Sequence, residues 1–253
     1  MAIKTAVIDG VATIEIARPE KKNAITGAMY AALASAFDSA REDVAVRAVL
    51  LTGQPGIFTS GNDIEDFVQR PANLREAPSF AFMKALIGCD KPVVAAVTGA
   101  AIGIGTTMLL HCDFVFVSDE ARLAMPFVTL GLVPEFASSL VVPQLMGNVR
   151  AAEKLLLGDP FSGSDAVECG IANAVLPAGE VVRHARRIAE RFNALPPDAV
   201  RATKRLLRRN RSAVLLETIA AEAEVFGACL QSSEAKEAFR AFFEKRKPDF
   251  SRS

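Results

Sequence analysis

The chain has 253 residues, and its 29 basic and 29 acidic side chains cancel, so net charge gives no argument for binding a polyanion such as nucleic acid. Hydrophobic residues make up 51% and charged residues 23% of the sequence, which is typical of a globular enzyme and excludes a disordered or coiled-coil protein. The four cysteines lack a C-x-x-C spacing, and no apolar run is long enough for a signal peptide or a membrane span. We therefore expect a cytoplasmic protein without a membrane partner, a nucleic-acid partner or a metal.

The first half of the sequence alternates strand and helix signals. Asp9-Gly10 between two apolar runs predicts a β-hairpin, and Thr26 is a suitable N-cap for an alanine-rich helix that ends near Asp43. A further helix is expected over 104–112. Buried strands are predicted for three short apolar runs, at 48–52, 92–97 and 114–117. This order favours a largely parallel sheet with helices packed against it.

After Pro196 the sequence changes to helix formers with little β-branched clustering. Three helices are predicted there, at roughly 197–209, 212–228 and 232–244. We therefore divide the chain into a core domain at 1–195 and a helical subdomain at 196–253. The apolar faces of these helices are too large to cover one another, so we expect the main domain or a partner subunit to cover them.

Two glycine-containing segments, 58–64 and 99–105, can direct backbone N–H groups at an anionic oxygen. The second does not fit the dinucleotide fingerprint, because Met108 stands where the G-x-G-x-x-G pattern needs glycine and no acidic ribose partner follows. The simpler alternatives are an ordinary capped turn at the first segment and tight packing of a strand on a helix at the second.

Glu135 is the candidate general base. It follows Pro134 near the start of an expected helix, within an apolar stretch that contains Phe127, Leu130, Leu132, Val133 and Phe136. Apolar surroundings strengthen a carboxylate as a base, whereas a helix N-terminus weakens it. The simpler alternative is a surface glutamate that favours the helix dipole. Two donor loops and one carboxylate are the groups that enolate chemistry needs. The carboxylate removes a proton from the carbon next to a carbonyl, and the donor loops stabilise the negative charge that forms on the carbonyl oxygen.

The remaining charged residues support neither a metal site nor a hydrolytic triad. His111 and His184 stand near no second ligand and no credible nucleophile. A basic stripe at helical spacing is typical of a solvated face, and contact with a phosphorylated small ligand is a better functional alternative than nucleic acid. Its residues are Arg201, Lys204, Arg205, Arg208 and Arg209.

Taken in order, the motifs resemble those of the enoyl-CoA hydratase/isomerase, or crotonase, family over nearly the full chain. Residues 17–24 are similar to the family's CoA-contacting segment, and 58–64 and 99–105 to its two oxyanion loops. Residues 195–204 and 243–248 are similar to its C-terminal signatures. The resemblance implies an α/β crotonase-like (ClpP/crotonase) fold, a spiral of repeated β-β-α units with a C-terminal helical subdomain. It also implies a homotrimer or a dimer of trimers without a cofactor, since coenzyme A belongs to the acyl-CoA thioester substrate.

The resemblance also implies roles for individual residues. The backbone N–H groups of Asn62 and Ile104 would be the oxyanion donors. Thr107 and Phe127 match the two catalytic glutamates of the family's hydratases, and neither is a carboxylate. Glu135 matches the base of the Δ3,Δ2-enoyl-CoA isomerases, most closely those of the peroxisomal-type branch. Further residues expected to contact the substrate are Ala24, Ile25, Ser60, Asp63, Ile64, Phe127, Leu132, Phe136 and Lys245.

The sequence therefore predicts a Δ3,Δ2-enoyl-CoA isomerase of fatty acid metabolism with Glu135 as the single acid and base. One departure from the family is Phe136-Ala137, because relatives commonly carry a glycine directly after this glutamate. A phenyl ring there is expected to shorten or reshape the acyl pocket. The alternatives left open are an enoyl-CoA hydratase of low activity and a non-catalytic acyl-CoA-binding protein.

Overall fold

The computed structural model describes residues 2–67 and 74–252, and the strands of these segments form two sheets. In chain order the strands are β1 (Ile3–Ile8), β2 (Val11–Ile16), β3 (Ala48–Thr52), β4 (Gly56–Thr59), β5 (Val93–Val97), β6 (Gly99–Ile102), β7 (Phe114–Ser118), β8 (Arg122–Ala124), β9 (Phe161–Ser162) and β10 (Ala174–Leu176). The larger sheet has the order β1-β2-β3-β5-β7-β10, and the smaller sheet has the order β4-β6-β8-β9.

The helices cover the sheets and form the C-terminal region. In chain order they are α1 (Gly27–Glu42), α2 (Ile64–Phe67), α3 (Pro78–Gly88), α4 (Ile104–Thr107), α5 (Ser138–Met146), α6 (Asn148–Ala152), α7 (Gly163–Glu168), α8 (Val181–Glu190), α9 (Pro197–Arg208), α10 (Ser212–Leu230) and α11 (Ser233–Phe243). Thr26 caps α1 as predicted, because its side chain accepts a hydrogen bond from the Met29 N–H at 3.3 Å.

The two sheets arise from a repeated pair of strands. In each of the pairs β3-β4, β5-β6 and β7-β8, the first strand joins the larger sheet and the second joins the smaller one. Successive repeats pair in parallel in both sheets. The chain therefore advances as the predicted spiral of β-β-α units, and the loop that follows each second strand lies at the same edge of the smaller sheet.

The N-terminal hairpin confirms the Asp9-Gly10 signal. Strands β1 and β2 pair antiparallel, with Ile8 opposite Val11, and the two turn residues have φ angles of +49° and +71°. Turns of this left-handed kind match the twist of the strands that they join.

The segment 99–102 differs from the prediction, because it is strand β6 rather than a loop. It pairs with β4 and β8, and a Cβ added to Gly99 would lie 1.9 Å from the Gly56 carbonyl oxygen. Glycine and alanine carry little strand signal of their own, so the pairing partners determine this strand. The helix expected over 104–112 is α4 followed by a 3-10 turn, Met108–His111.

The three predicted C-terminal helices are present as α9, α10 and α11. Leu215, Ile219 and Phe226 of α10 belong to the main hydrophobic core, whereas Phe242 and Phe243 of α11 are exposed. The main domain therefore covers part of the apolar surface. The division at 195/196 stays a prediction. Among the described residues, no helix is long and apolar enough to cross a membrane.

The basic stripe of α9 was predicted to be solvated or bound to a phosphorylated ligand, and this was wrong for two of its residues. Lys204 is buried, and its Nζ donates to the Asp113 carboxylate at 2.6 Å. Arg208 donates to the other oxygen of Asp113 at 2.8 Å. Burial lowers the pKa of Lys204, and the Asp113 charge opposes that effect. This cluster attaches α9 to the start of β7.

Replacement of Asp113 by asparagine should destabilise the fold strongly. Asp113→Asn leaves the cations of Lys204 and Arg208 without their carboxylate, and we expect a loss of about 3 kcal/mol in the free energy of unfolding. Denaturant unfolding measures this change. Asp38→Asn is the matched control, because Asp38 forms an exposed ion pair with Arg41 at 3.2 Å and should cost less than about 1 kcal/mol. Equal losses in both variants would contradict a structural role for the buried cluster.

Candidate active site

The first predicted donor loop follows β4 and is held by the segment 22–25. Ser60 N–H donates to the Lys22 carbonyl at 3.0 Å, and Ile25 N–H donates to the Gly61 carbonyl at 2.8 Å. The Asp63 N–H in turn donates a hydrogen bond to the Ile25 carbonyl at 3.0 Å. Ile25 and Asn62 thus form a parallel bridge, and the backbone of Asn62 is fixed on both sides.

Asp63 ends this loop and caps α2. Its Oδ2 accepts a hydrogen bond from Arg18 at 2.6 Å, and its Oδ1 accepts one from the Asp66 N–H at 3.2 Å. Burial raises the pKa of Asp63, but the Arg18 and Asp66 hydrogen bonds outweigh burial and lower it overall. Arg18 also donates to the Ala24 carbonyl at 3.0 Å, so this ion pair joins the predicted CoA-contacting segment to the loop.

The second predicted donor loop is a sharp turn at Gly103, which has a φ angle of +57°. The N–H groups of Thr106 and Thr107 donate to the Gly103 carbonyl at 2.9 and 3.0 Å. Ile104 and Gly105 precede them at the start of α4, where backbone N–H groups have no partner within the helix. The Ile104 N–H is therefore available to an oxygen that lies in front of α4.

The two loops lie directly against each other. A Cβ added to Gly61 would lie 2.8 Å from the Ile102 carbonyl oxygen, and one added to Gly105 would lie 2.6 Å from Thr59 Cγ2. Only glycine allows so close an approach. The structure thus brings together the backbones of 59–61 and 102–105, which flank the two predicted donors.

Glu135 lies in a turn and precedes α5 by three residues, so the expected position near the start of a helix was wrong. The helix begins only at Ser138, because Phe136 and Ala137 adopt left-handed φ angles of +61° and +55°. Ser138 donates to the Glu135 carbonyl through its N–H at 3.2 Å and its hydroxyl at 2.7 Å. The direction of the Glu135 side chain is therefore set by this turn and not by the geometry of helix α5.

Two buried side chains hold the turn after Glu135. Glu222 of α10 accepts hydrogen bonds from the Ala137 N–H at 2.6 Å, and from the N–H and hydroxyl of Ser139 at 3.0 and 2.5 Å. His111 lies 2.7 Å from the Phe136 carbonyl through Nε2, and the two rings stack at 4.1 Å. Since a carbonyl only accepts, Nε2 carries the proton.

A small cavity of about 30 Å³ lies beside the turn. Glu135 and Glu222 line it together with a largely apolar wall of Phe67, Phe80, Met83, Phe136, Ile219 and Phe226. Burial raises the pKa of Glu222, and its hydrogen bonds from Ser139 and Ala137 oppose that effect. Glu135 thus borders an apolar space, as its sequence neighbours suggested.

A row of buried aromatic rings joins this turn to the first donor loop. The Tyr30 hydroxyl donates to Asn62 Oδ1 at 2.7 Å. The Tyr30 ring lies 5.7 Å from Phe82, and Phe82 lies 6.0 Å from Phe136. Rings at such distances pack favourably edge-on or tilted, so the row couples the position of Asn62 to that of the turn.

The other predicted site residues are distributed around these loops. Phe127 is buried, with its ring 3.9 Å from a Cβ added to Gly103, and its carbonyl accepts from the Leu132 N–H at 2.9 Å. Ile64 begins α2 and is partly buried. Lys245 is exposed just after α11, with a φ angle of +55°. Contact of these side chains with a substrate stays a prediction.

Three side chains that contact the loops of the site were not predicted, namely Tyr30, His111 and Glu222. One signal was available for Glu222, because it lies three residues after Ile219 and four before Phe226 on the apolar stripe of α10. A glutamate on a buried stripe needs hydrogen-bond donors. No group of three or more potential metal ligands occurs in segments 2–67 and 74–252.

Comparison with known proteins agrees with this arrangement. The model of the enoyl-CoA hydratase/isomerase family matches residues 7–253. The chain belongs to this family. The solved structure of OdaA from Pseudomonas aeruginosa superimposes with a TM-score of 0.93 at 50% identity, and the match covers 95% of this chain and 98% of that one. The chain is thus a family enzyme with the crotonase-like fold.

Individual relatives are named for different reactions. A Bacillus subtilis protein named "Probable enoyl-CoA hydratase" is 31% identical in an alignment of 254 positions that covers 98% of each chain. Enoyl-CoA delta isomerase 2 of Rattus norvegicus is 34% identical in an alignment of 245 positions that covers 94% of this chain and 62% of the rat protein. Identity alone therefore does not decide between hydration and isomerisation in this family.

The burial of His111 should make stability depend on pH, and the hydrogen bond to the Phe136 carbonyl opposes the effect only in part. Burial lowers the pKa of His111 from 6.5 to about 4, so between these values the unfolded chain binds a proton that the folded chain excludes. The contribution of His111 to the free energy of unfolding is therefore fully present above pH 6.5 and is lost as the pH falls toward 4. We expect a loss of about 2 kcal/mol from this group between pH 7 and pH 5.

Urea unfolding of the native protein and of His111→Gln at both pH values measures this contribution. The glutamine amide can donate to the Phe136 carbonyl but does not titrate, so the variant should lose less stability between pH 7 and pH 5. The same loss in both proteins would show that other groups cause the pH dependence.

Proposed function

We propose that this chain is a Δ3,Δ2-enoyl-CoA isomerase, which moves a double bond in an acyl-CoA thioester. The observation that carries the proposal is the placement of Glu135 at an apolar cavity, on a turn held from two sides. The positions that match the glutamates of the family's hydratases are Thr107 and Phe127, and neither can act as a base. One carboxylate suffices for isomerisation, because the same group removes and returns the proton.

The proposed reaction has two proton transfers and no net change in atoms. The Glu135 carboxylate removes a proton from C2 of a 3-enoyl-CoA, and the electron pair of that C–H bond moves into the conjugated system. The negative charge on the thioester oxygen is stabilised by the N–H groups of Asn62 and Ile104. The protonated Glu135 then delivers its proton to C4, and the product is the trans-2-enoyl-CoA.

The remaining contacts of the proposal follow the family pattern. Ala24 and Ile25 would contact the adenine through their backbones, and Lys245 would lie near the CoA 3′-phosphate. The other residues proposed to contact the substrate are Ser60, Asp63, Ile64, Phe127, Leu132 and Phe136. We further propose a homotrimer or a dimer of trimers in the cytoplasm that needs no cofactor besides the CoA of its substrate.

Two thioesters distinguish isomerisation from hydration. We expect the protein to convert 3-hexenoyl-CoA into the 2-enoyl isomer and to leave crotonyl-CoA unhydrated. Glu135→Gln should lower kcat for 3-hexenoyl-CoA by about two to four orders of magnitude and retain thioester binding, because only the base is lost. Hydration of crotonyl-CoA by the native protein, or full isomerase activity in Glu135→Gln, would overturn the proposal.

The oxyanion assignment gives a separate prediction. Ile104→Pro removes the N–H at the first position of α4, where proline fits a helix, and should lower kcat about a hundredfold, or roughly 3 kcal/mol. Ile104→Val keeps that N–H and is the matched control. Asn62→Ala keeps its main-chain donor and should lower kcat by less than about tenfold.

Circular dichroism and thioester binding verify that each of these variants folds. A folded Ile104→Pro protein with the kcat of Ile104→Val would contradict the assignment of this N–H.

A further inference from the structure

The turn that follows Glu135 combines two unfavourable features. Phe136 and Ala137 are consecutive non-glycine residues with left-handed φ angles, +61° and +55°. An L-residue with a side chain seldom adopts this conformation, and a bulky one is a clear outlier. Both residues are fully buried, so water cannot satisfy the backbone groups of the turn. Contacts from elsewhere in the fold must stabilise it.

Glu222 supplies the largest set of these contacts. It is only 8% exposed, and its two oxygens accept from the Ala137 N–H, the Ser139 N–H and the Ser139 hydroxyl. It thereby binds N–H groups on both sides of Ser138, where α5 begins. A carboxylate at a helix N-terminus also interacts favourably with the helix dipole.

We propose that Glu222 is a positioning residue for Glu135, and that it acts by holding Phe136 and Ala137 in the left-handed conformation that directs Glu135 into the cavity. This inference rests on the proposed function of Glu135 as the base. In this proposal Glu222 transfers no proton, and its two oxygens accept hydrogen bonds from the backbone and from Ser139.

The kinetic test uses Glu222→Gln with 3-hexenoyl-CoA as substrate. The glutamine side chain has an NH2 group in place of one carboxylate oxygen, and this group cannot accept the hydrogen bond from the Ala137 or Ser139 N–H that faces it. That hydrogen bond is lost, and the turn relaxes. A small displacement of a catalytic group costs up to about a hundredfold in rate, so we expect kcat to fall about ten- to a hundredfold. KM should change less than about threefold, since the groups that bind the thioester remain. Glu217→Gln, on the exposed face of the same helix, is the matched control and should behave as the native protein.

Rescue by glycine separates positioning from general stability. Glycine adopts positive φ angles without strain, so Ala137→Gly should restore most of the kcat in the Glu222→Gln background. Recovery of kcat in the double variant supports the proposal. An unchanged kcat in folded Glu222→Gln, a rise in KM alone, or no recovery in the double variant would overturn it.

The ring of His111 gives a readout that does not depend on activity. Its Nε2 proton contacts the Phe136 carbonyl in a fully buried place, so its nuclear magnetic resonance signal reports on the turn. We expect Glu222→Gln to shift this signal and Ala137→Gly to return it, whereas Glu217→Gln leaves it unchanged. If the native protein does not isomerise 3-hexenoyl-CoA, the proposed function fails and this signal alone decides whether Glu222 holds the turn. An unshifted signal in Glu222→Gln contradicts that as well.

Discussion

The candidate site depends on the close approach of two backbones, at Gly61 and Ile102. The parallel pairing of β4 with β6 brings the ends of these strands side by side, and the absence of a Cβ at Gly61 lets the chains touch. A side chain at this position would push the first loop away from α4. The geometry of both donor loops therefore follows from the register of the smaller sheet and from two residues without a side chain, Gly61 and Gly105.

The local parts of this fold could be predicted from the sequence. The Asp9-Gly10 turn and the Thr26 cap each depend on neighbours within a few residues, and both are present. Strand β6 could not be predicted in the same way, because its glycine and alanine residues become a strand only through pairing with β4 and β8. The residue pattern predicted none of the strands of the smaller sheet, and the spiral of β-β-α units to which they belong was expected only from the family resemblance.

The same distinction applies to the site. Glu135 and the donor loops are marked by local motifs, and the order of these motifs along the chain carries the family resemblance. The contacts that hold these segments in place join residues far apart in the sequence. His111 and Phe136 are 25 residues apart, Tyr30 and Asn62 are 32 apart, and Glu222 and Ala137 are 85 apart. No pattern within one window of sequence connects such pairs. His111 was expected only as part of the helix over 104–112, although its ring supports the turn.

Phe136 stands where the family resemblance implies a glycine, and its side chain fits this set of long-range contacts. A glycine would adopt the left-handed conformation without help, but it would leave the space between Phe82 and His111 empty. The phenyl ring fills that space and contributes to the buried aromatic row, while the backbone strain that it introduces is opposed by the hydrogen bonds of His111 and Glu222. The turn is then fixed by packing on one side and by hydrogen bonds on the other. In the proposed isomerisation Glu135 has to reach two carbons in turn, and such an arrangement would keep its backbone in place while its carboxyl group moves between them.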